Sequence, residues 1–345
     1  TLSWLKEHGA AVTVCSHLGR PKDDKDMRFS MEPVSRRLAE ICPGIEMMEN
    51  LRFHHGEKAG DPSFGERLVA GFDAYVNEAF GVAHRPHASI LFPPKRLPSA
   101  AGRRLAEEVE VVGGLMEDPR RPFVVVLGGA KVGDKLGVLA ALTKKADVVA
   151  VGGAMAFTFL RAIGRNVGAS MVDESKLAGC MELLEGHPDR FLLPVDVVAL
   201  EPGGTPPGSR ASDMGGSSGT KVLGGDIPDG WRALDIGPET AEAFASVIAS
   251  AGTVFWNGPV GVFEDERFAD GTQTVASAIA SSSAFSVVGG GDSVAALHSL
   301  GLAERIDFVS TGGGASLCLL EECDLAALRA LRSAPNAPPV GQRSR

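Results

Sequence analysis

Five times between residues 123 and 316 a short apolar run breaks into glycines. Phe123–Leu127 runs into GGAK, Val148–Val151 into GGAM and Thr253–Trp256 into NGPVG; Phe285–Val288 runs into GGGDS and Phe308–Ser310 into TGGGAS. Strands that alternate with helices in this way argue for parallel sheets covered on both faces. In such sheets ligands bind beyond the carboxyl ends of the strands, so all five turns would lie along one edge. One such turn is only a tight turn. Five suggest a place where backbone amides meet a polyphosphate, because glycine lets the backbone approach closely and a helix N-terminus offers free N–H groups and a positive dipole end.

The first of these turns, LGGAKVGDK at Leu127–Lys135, is a near miss of a Walker A loop. Gly128 and Gly133 have its spacing, but Asp134 stands where the lysine belongs. Lys131 and Lys135 read as two charges one helical turn apart on one face; the plainer reading of the stretch is a tight turn. In GGGDS, Ser293 reads as the N-cap of the helix that contains Val294–Leu297. Asp292 reads either as a carboxylate facing Mg²⁺ held by nucleotide phosphates or as a helper of the cap. Glu264 of WNGPVGVFE is either a ribose hydroxyl acceptor or a solvated loop acid.

The first part of the chain differs. Strands over Ala11–Cys15, Ile45–Met48 and Phe72–Val76 lead into SHLGRP, ENLRFHH and NEAFGVAHR. Residues 1–105 hold 15 Lys/Arg and 13 Asp/Glu, whereas the whole chain carries −9. Six of the eight histidines fall here. A basic, His-rich segment in an acidic protein implies a small anionic ligand and argues against nucleic acid. Arg20, Arg52 and Arg85 sit in successive strand-end turns with His17, and guanidinium forks suit phosphate and carboxylate groups. Pro93, Pro94 and Pro98 mark a break, after which Ala101–Met116 reads as a long connecting helix. Glu201–Ser218 reads as a surface excursion, and Ala334–Arg345 as a polar tail.

At 345 residues two domains are expected. Five cysteines without a CxxC pair fit a reducing cytosol, with Cys15 a buried thiol. No run reaches the ~18 apolar residues of a membrane span. A nucleotide edge and an anion edge together suit phosphoryl transfer, which is mainly positioning and charge neutralisation. A carboxylate acceptor is already ionised at pH 7 and needs no general base. A dinucleotide-dependent dehydrogenase is the rival enzyme, but no GxGxxG opens a helix with an acid about 20 residues on. A purely structural interaction protein has no need of five glycine strand ends.

The motifs SHLGRP, ENLRFH, YVNEAFGVAHR, RPFVVVLGGAKVGDK, GGAMAFTFL, LPVD, WNGPVGVFE, GGGDS and STGGGAS, in this order, resemble the phosphoglycerate kinase family. The resemblance implies two Rossmann-like α/β domains with parallel sheets, joined by a long helix with a cleft between them. Residues 1–104, with 320–345 packing back, would bind phosphoglycerate; residues 105–319 would bind nucleotide, with 101–116 as the connecting helix. The implied reaction is ATP + 3-phosphoglycerate ⇌ ADP + 1,3-bisphosphoglycerate with Mg²⁺, by a cytoplasmic monomer. His17, Leu18, Gly19, Arg20, Arg52 and Arg85 would hold phosphoglycerate. Lys131, Arg20, Gly313 and Gly314 would serve the transfer itself. Gly129, Ala130, Lys135, Gly153, Leu234, Asn257, Pro259, Glu264 and Gly290–Ser293 (Gly290, Gly291, Asp292 and Ser293) would bind nucleotide, with Asp292 toward the metal. Glu108 matches a hinge glutamate, and Ser293 stands where the family usually has threonine. The family pattern begins further upstream, with an Asp-x-Asn substrate turn. This implies a chain lacking its N-terminal segment, an unpaired central strand position and a crippled substrate site. The alternative function is therefore a nucleotide-binding fragment of little activity.

Overall fold

The computed structural model describes residues 1–23, 26–130, 132–208 and 219–335. It divides into two compact units, Thr1–Glu108 with Asp324–Arg345, and Val109–Cys323. The first unit opens with α1 (Leu2–Glu7), β1 (Thr13–Val14), α2 (Glu32–Ile41) and β2 (Glu46–Met47). It continues through α3 (His55–Ala59), α4 (Pro62–Val69), β3 (Tyr75–Asn77), α5 (Ala88–Leu91) and β4 (Ser99–Ala101). β1 pairs with β2 and β3 with β4, both in parallel. These strands are shorter than the apolar runs suggest, because each has a ladder along one edge only among the described residues.

The long helix α6 spans Arg103–Glu117 rather than starting at Ala101. Ala101 is paired with Asn77 as the last residue of β4, and the Gly102 N–H donates to the Asn77 carbonyl, so the backbone is extended up to that point. The boundary between units falls inside α6. Glu108, on its first-unit side, is fully buried and pairs with Arg104 at 3.1 Å.

The second unit is built on β5 (Phe123–Leu127), followed by α7 (Leu136–Thr143), β6 (Val148–Val151), α8 (Met155–Ala162), α9 (Leu177–Gly186) and β7 (Phe191–Leu192). Then come β8 (Asp196–Leu200), β9 (Thr220–Gly224), β10 (Arg232–Ile236), α10 (Pro238–Ala249), β11 (Thr253–Asn257), α11 (Asp270–Ser281), β12 (Phe285–Gly289), α12 (Gly291–Ser299), β13 (Phe308–Val309) and α13 (Gly313–Glu322). The chain then returns to the first unit as α14 (Ala326–Arg332), where the Ala327 N–H donates to the Ala83 carbonyl 2.9 Å away.

Six strands form one parallel sheet in the order β13-β12-β11-β5-β6-β7. β5 and β11 are buried at every position, which is why FVVVL is apolar throughout and TVFWN through its middle, with no alternation. From β5 the chain first builds outward through β6 and β7, then crosses to β11, β12 and β13. The order therefore reverses between β5 and β11, and a doubly wound sheet opens its ligand crevice at such a switch point.

The expectation of parallel sheets alone needs a correction. β10, β8 and β9 form a separate antiparallel sheet, with β8 in the middle. Its outer strand β9 is largely exposed, as an antiparallel sheet tolerates and a parallel one does not. Asp196, at the start of β8, stops the N-terminus of α10. Its buried carboxylate accepts from the Glu239 N–H at 3.1 Å, the Thr240 N–H at 2.8 Å and the Thr240 hydroxyl at 2.6 Å. Asp196→Ala leaves these donors unpaired in the interior and is expected to cost about 2–3 kcal/mol. Urea unfolding measures this; a loss below about 0.5 kcal/mol would contradict the assignment.

Candidate functional site

At the switch point the turns after β5, β6 and β11 hold one another by their backbones. The Gly129 N–H donates to the Pro259 carbonyl at 2.8 Å, the Gly153 N–H to the Val260 carbonyl at 3.0 Å and the Gly128 N–H to the Asn257 carbonyl at 3.1 Å. There is no room for side chains here. A methyl group on Gly128 would collide with the Pro259 carbonyl, and one on Gly153 would lie 2.6 Å from the Gly129 nitrogen. Gly129, at φ +95°, also has a backbone that only glycine adopts easily.

Lys135 crosses this arrangement from beneath. Its Nζ donates to the Gly128 carbonyl at 2.7 Å and to the Asn257 carbonyl at 3.0 Å. Burial lowers its pKa to about 8, opposed by the negative charges of Asp292 and Asp134. Helix α7 begins only at Leu136, so Lys135 precedes the helix whose face the sequence reading gave it. Lys131 itself lies outside the described residues.

Two helix N-termini face the same sheet edge. α12 follows β12 directly, with Gly290 as its N-cap at φ +91° and Asp292 exposed in its first turn. Ser293 is not a cap, contrary to the sequence reading. It is fully buried as the third residue of the helix, and its hydroxyl accepts from the Gly258 N–H at 2.6 Å. The reason is packing: the β11 turn lies against α12, and Gly258 has an amide there that needs an acceptor. The Asn257 side-chain amide nitrogen is buried with no partner, 3.1 Å from where a methyl on Gly290 would stand. α13 starts at Gly313, so Gly313 and Gly314 are its first two residues, and Gly314 is exposed. A Cβ at Gly313 would lie 3.4 Å from Gly290 Cα, so the two N-termini are neighbours. Leu234 is half-buried in β10 and its carbonyl accepts from the Val262 N–H at 2.9 Å. Ala130 and Glu264 are exposed, and Gly291 opens α12.

The first unit gathers the basic residues. Asn50 joins two of the predicted turns: its amide donates to the Leu18 and Phe29 carbonyls at 2.8 Å, and its oxygen accepts from the Arg52 N–H. Arg52 Nη1 donates to the Gly19 carbonyl at 2.7 Å. Gly19, at φ +59°, leaves no room for a Cβ beside Phe29. Arg20 is exposed, whereas His17, Arg52 and Arg85 are half-buried.

These cations feel one another. His17 is lowered by burial and then by the charges of Arg52 and Arg85. Arg52 is lowered by burial, then by Arg85 and Arg20. Burial and the same arginines push His87 down to about 4, so its 3.6 Å contact with Glu57 joins a neutral imidazole to a carboxylate. Arg52 Nε and His84 Nδ1 are buried without hydrogen-bond partners. Crowded cations with an unspent buried donor are poised for an anion. The sequence reading missed Glu57, which is buried beneath them and accepts from the Ser89 amide and hydroxyl at 3.0 and 2.6 Å. Its charge acts on Arg52, and its place three residues beyond ENLRFH, in α3, is the signal the chain carried.

Ser293→Ala would strand the buried Gly258 amide and is expected to cost about 1–3 kcal/mol, whereas Ser293→Thr keeps the hydroxyl and is expected to cost much less. Thermal unfolding of both variants checks this; equal losses would contradict the acceptor role.

A family model for phosphoglycerate kinase matches residues 42–322. A phosphoglycerate kinase of Rubrobacter xylanophilus is 47% identical over 96% of this chain and 88% of its own length. One from a Parafrankia strain is 46% identical over the same shares. Among solved structures, phosphoglycerate kinase from Coxiella burnetii superposes with a TM-score of 0.82 at 34% identity, over 96% of this chain and 89% of that one. The Pyrococcus horikoshii enzyme gives 0.80 at 28% identity. Alignments of this breadth favour the enzyme over the nucleotide-binding fragment. Five glycine turns on one sheet edge and a crowded basic cluster on the other unit thus belong to a member of the phosphoglycerate kinase family.

Proposed function

We propose that this chain transfers a phosphoryl group reversibly between ATP and 3-phosphoglycerate, giving ADP and 1,3-bisphosphoglycerate. The observation that carries this reading is the meeting of the β5, β6 and β11 turns with Lys135 and the α12 and α13 N-termini on one sheet edge. The open first-turn amides of α12 and α13, the positive dipole ends of both helices and a buried ammonium are what a polyphosphate needs. Gly129, Ala130, Gly153, Asn257, Pro259, Gly290, Gly291 and Ser293 shape that edge. Leu234 and Glu264 are assigned to the nucleoside, as an apolar support and a hydroxyl acceptor.

Asp292 is exposed at the mouth of α12 and is a single carboxylate. Among the described residues no group of three or more His, Cys, Asp or Glu is arranged to hold a metal. This suits Mg²⁺, which takes one or two carboxylates and completes its shell with phosphate oxygens and water. Asp292 would hold it there, and the ion would neutralise phosphate charge.

On the first unit, His17, the Leu18–Arg20 turn, Arg52 and Arg85 would bind the phosphate and carboxylate of phosphoglycerate. The acceptor carboxylate is ionised at neutral pH, so the protein need only position it and balance charge. Arg20, Lys131 and the amides of Gly313 and Gly314 are assigned to the phosphoryl group in flight. No helix among the described residues is long and apolar enough to cross a membrane. A monomer in the cytoplasm is part of this proposal.

The two half-sites make separable predictions for initial rates. Arg52→Met is expected to raise the KM for 3-phosphoglycerate by about 30–100-fold while leaving the KM for ATP within about twofold. Lys131→Ala is expected to lower kcat by about 100-fold or more with little change in nucleotide affinity. A KM effect of Arg52→Met on ATP alone, or an unchanged kcat in Lys131→Ala, would overturn the assignments.

A further inference from the structure

Asp235 is a second buried carboxylate in the nucleotide unit, and neither the sheet edge nor the family's motifs account for it. It lies in β10, 1% exposed, next to Leu234. Its Oδ2 accepts from the Gly271 N–H at 2.8 Å, in the first turn of α11. Its Oδ1 accepts from the Ile236 N–H at 2.9 Å.

Its carboxyl occupies the space that a side chain at Gly261 or Gly271 would need, and Gly261 is in the turn that carries Pro259 and leads to Glu264. That turn is hooked at several points. The Val260 and Gly261 N–H groups both donate to the Thr272 hydroxyl at 3.2 Å, and the Val262 N–H donates to the Leu234 carbonyl. The Pro259 and Val260 carbonyls hold the Gly129 and Gly153 turns. Asp235 is thus the wedge on which the β10 backbone, the start of α11 and the β11 turn all rest.

We propose that Asp235 is a positioning residue for the nucleotide half-site, whose proton sets how firmly the Pro259–Glu264 turn is held and hence how tightly nucleotide binds. The inference rests on the nucleotide reading of that edge. Ionised, Asp235 makes charge-assisted bonds to both amides and faces the positive end of α11. Protonated, it must donate one hydrogen bond, and the Phe268 carbonyl oxygen borders the same space beside Gly261. The donation draws Oδ1 toward Phe268 and slackens the wedge.

Burial pushes Asp235 up to about 7; the two amide bonds pull the other way, and Asp270 at the head of α11 adds a smaller upward push. Of the other charged groups on the surrounding elements, Arg232, Glu239, Glu242, Glu264 and Glu266 are exposed to solvent, and the rest are engaged. Asp265 and Arg267 pair with each other at 2.6 Å, and Asp196 is bound to α10. Because the folded value lies above the ordinary one, the folded chain holds the proton more tightly. This acid's ionisation therefore works against folding as pH rises from about 4 toward 7.

The test is ADP binding by calorimetry, with Mg²⁺, to the whole chain and to Asp235→Asn, which mimics the neutral acid. Taking the ratio of the two Kd values cancels the titration of ADP and of Lys135. The ratio is expected to be about tenfold at about pH 8.5 and to approach one at about pH 5.5. A flat ratio across that range overturns this inference alone; no ADP binding by the unaltered chain at any pH overturns the nucleotide reading and the inference with it. If Asp235→Asn does not fold, the Asp235 carboxyl carbon is titrated by NMR in the unaltered chain. By reciprocity saturating ADP must lower its midpoint by about one unit, and an unmoved midpoint overturns the inference.

Discussion

The rest of the second unit depends on how closely three stretches of backbone approach one another at the switch point. The β5, β6 and β11 turns share hydrogen bonds through Gly128, Gly129, Gly153, Pro259 and Val260. That approach is possible only where Cβ atoms are missing; it spends the Gly128, Gly129 and Gly153 amides within the turns and leaves the first-turn amides of α12 and α13 open beside them. The parallel register of β5 with β11 brings Leu127 level with Asn257, so both turns begin at the same height. A one-residue slip in that register would send every side chain to the opposite face of a sheet buried on both sides, and would put the turns out of level. The lining of the site is therefore the end of the core, continued in backbone.

Charge is handled differently in the two units. The sheet edge proposed for nucleotide keeps one lysine against carbonyl oxygens, and burial lowers its pKa. The first unit crowds arginines and histidines that depress one another, with Glu57 as the buried counterweight beneath. Both arrangements store unfavourable electrostatics that an anion relieves. The same energy that makes the free site uneasy then appears as binding. Both also explain why no general base is visible. The chemistry asks for charge placement, and the acceptor supplies its own ionised oxygen.

Most of the second unit's sheet was legible in the sequence. Strands buried on both faces have few chemical options, and FVVVL, TVFWN and FSVVG display theirs openly. The glycine turns were legible for the same reason, since a backbone approach excludes every other residue. Ser293 was misread because local sequence shows a hydroxyl near a helix start. It does not show that another turn's amide would be waiting for it. The antiparallel sheet was missed because its middle strand β8 pairs with β9 and β10 across intervening loops, and the exposed β9 shows no apolar run. Asp235 and Glu57 were invisible as functional residues because their meaning lies in burial, which a lone acid in a chain does not announce. In the first unit the arginines were found by their turns. Asn50, which ties two of those turns together, passed as an ordinary turn residue.

The central claim is that one chain holds a nucleotide on bare backbone and a phosphorylated carboxylate on its basic cluster, and moves a phosphoryl group between them. The most direct measurement is ADP formation by the purified chain in the presence of Mg²⁺, ATP and 3-phosphoglycerate, with each substrate omitted in turn. The account predicts turnover that saturates in both substrates and vanishes without either. ADP released at the same rate in the absence of 3-phosphoglycerate, or no turnover with both substrates present, would contradict it.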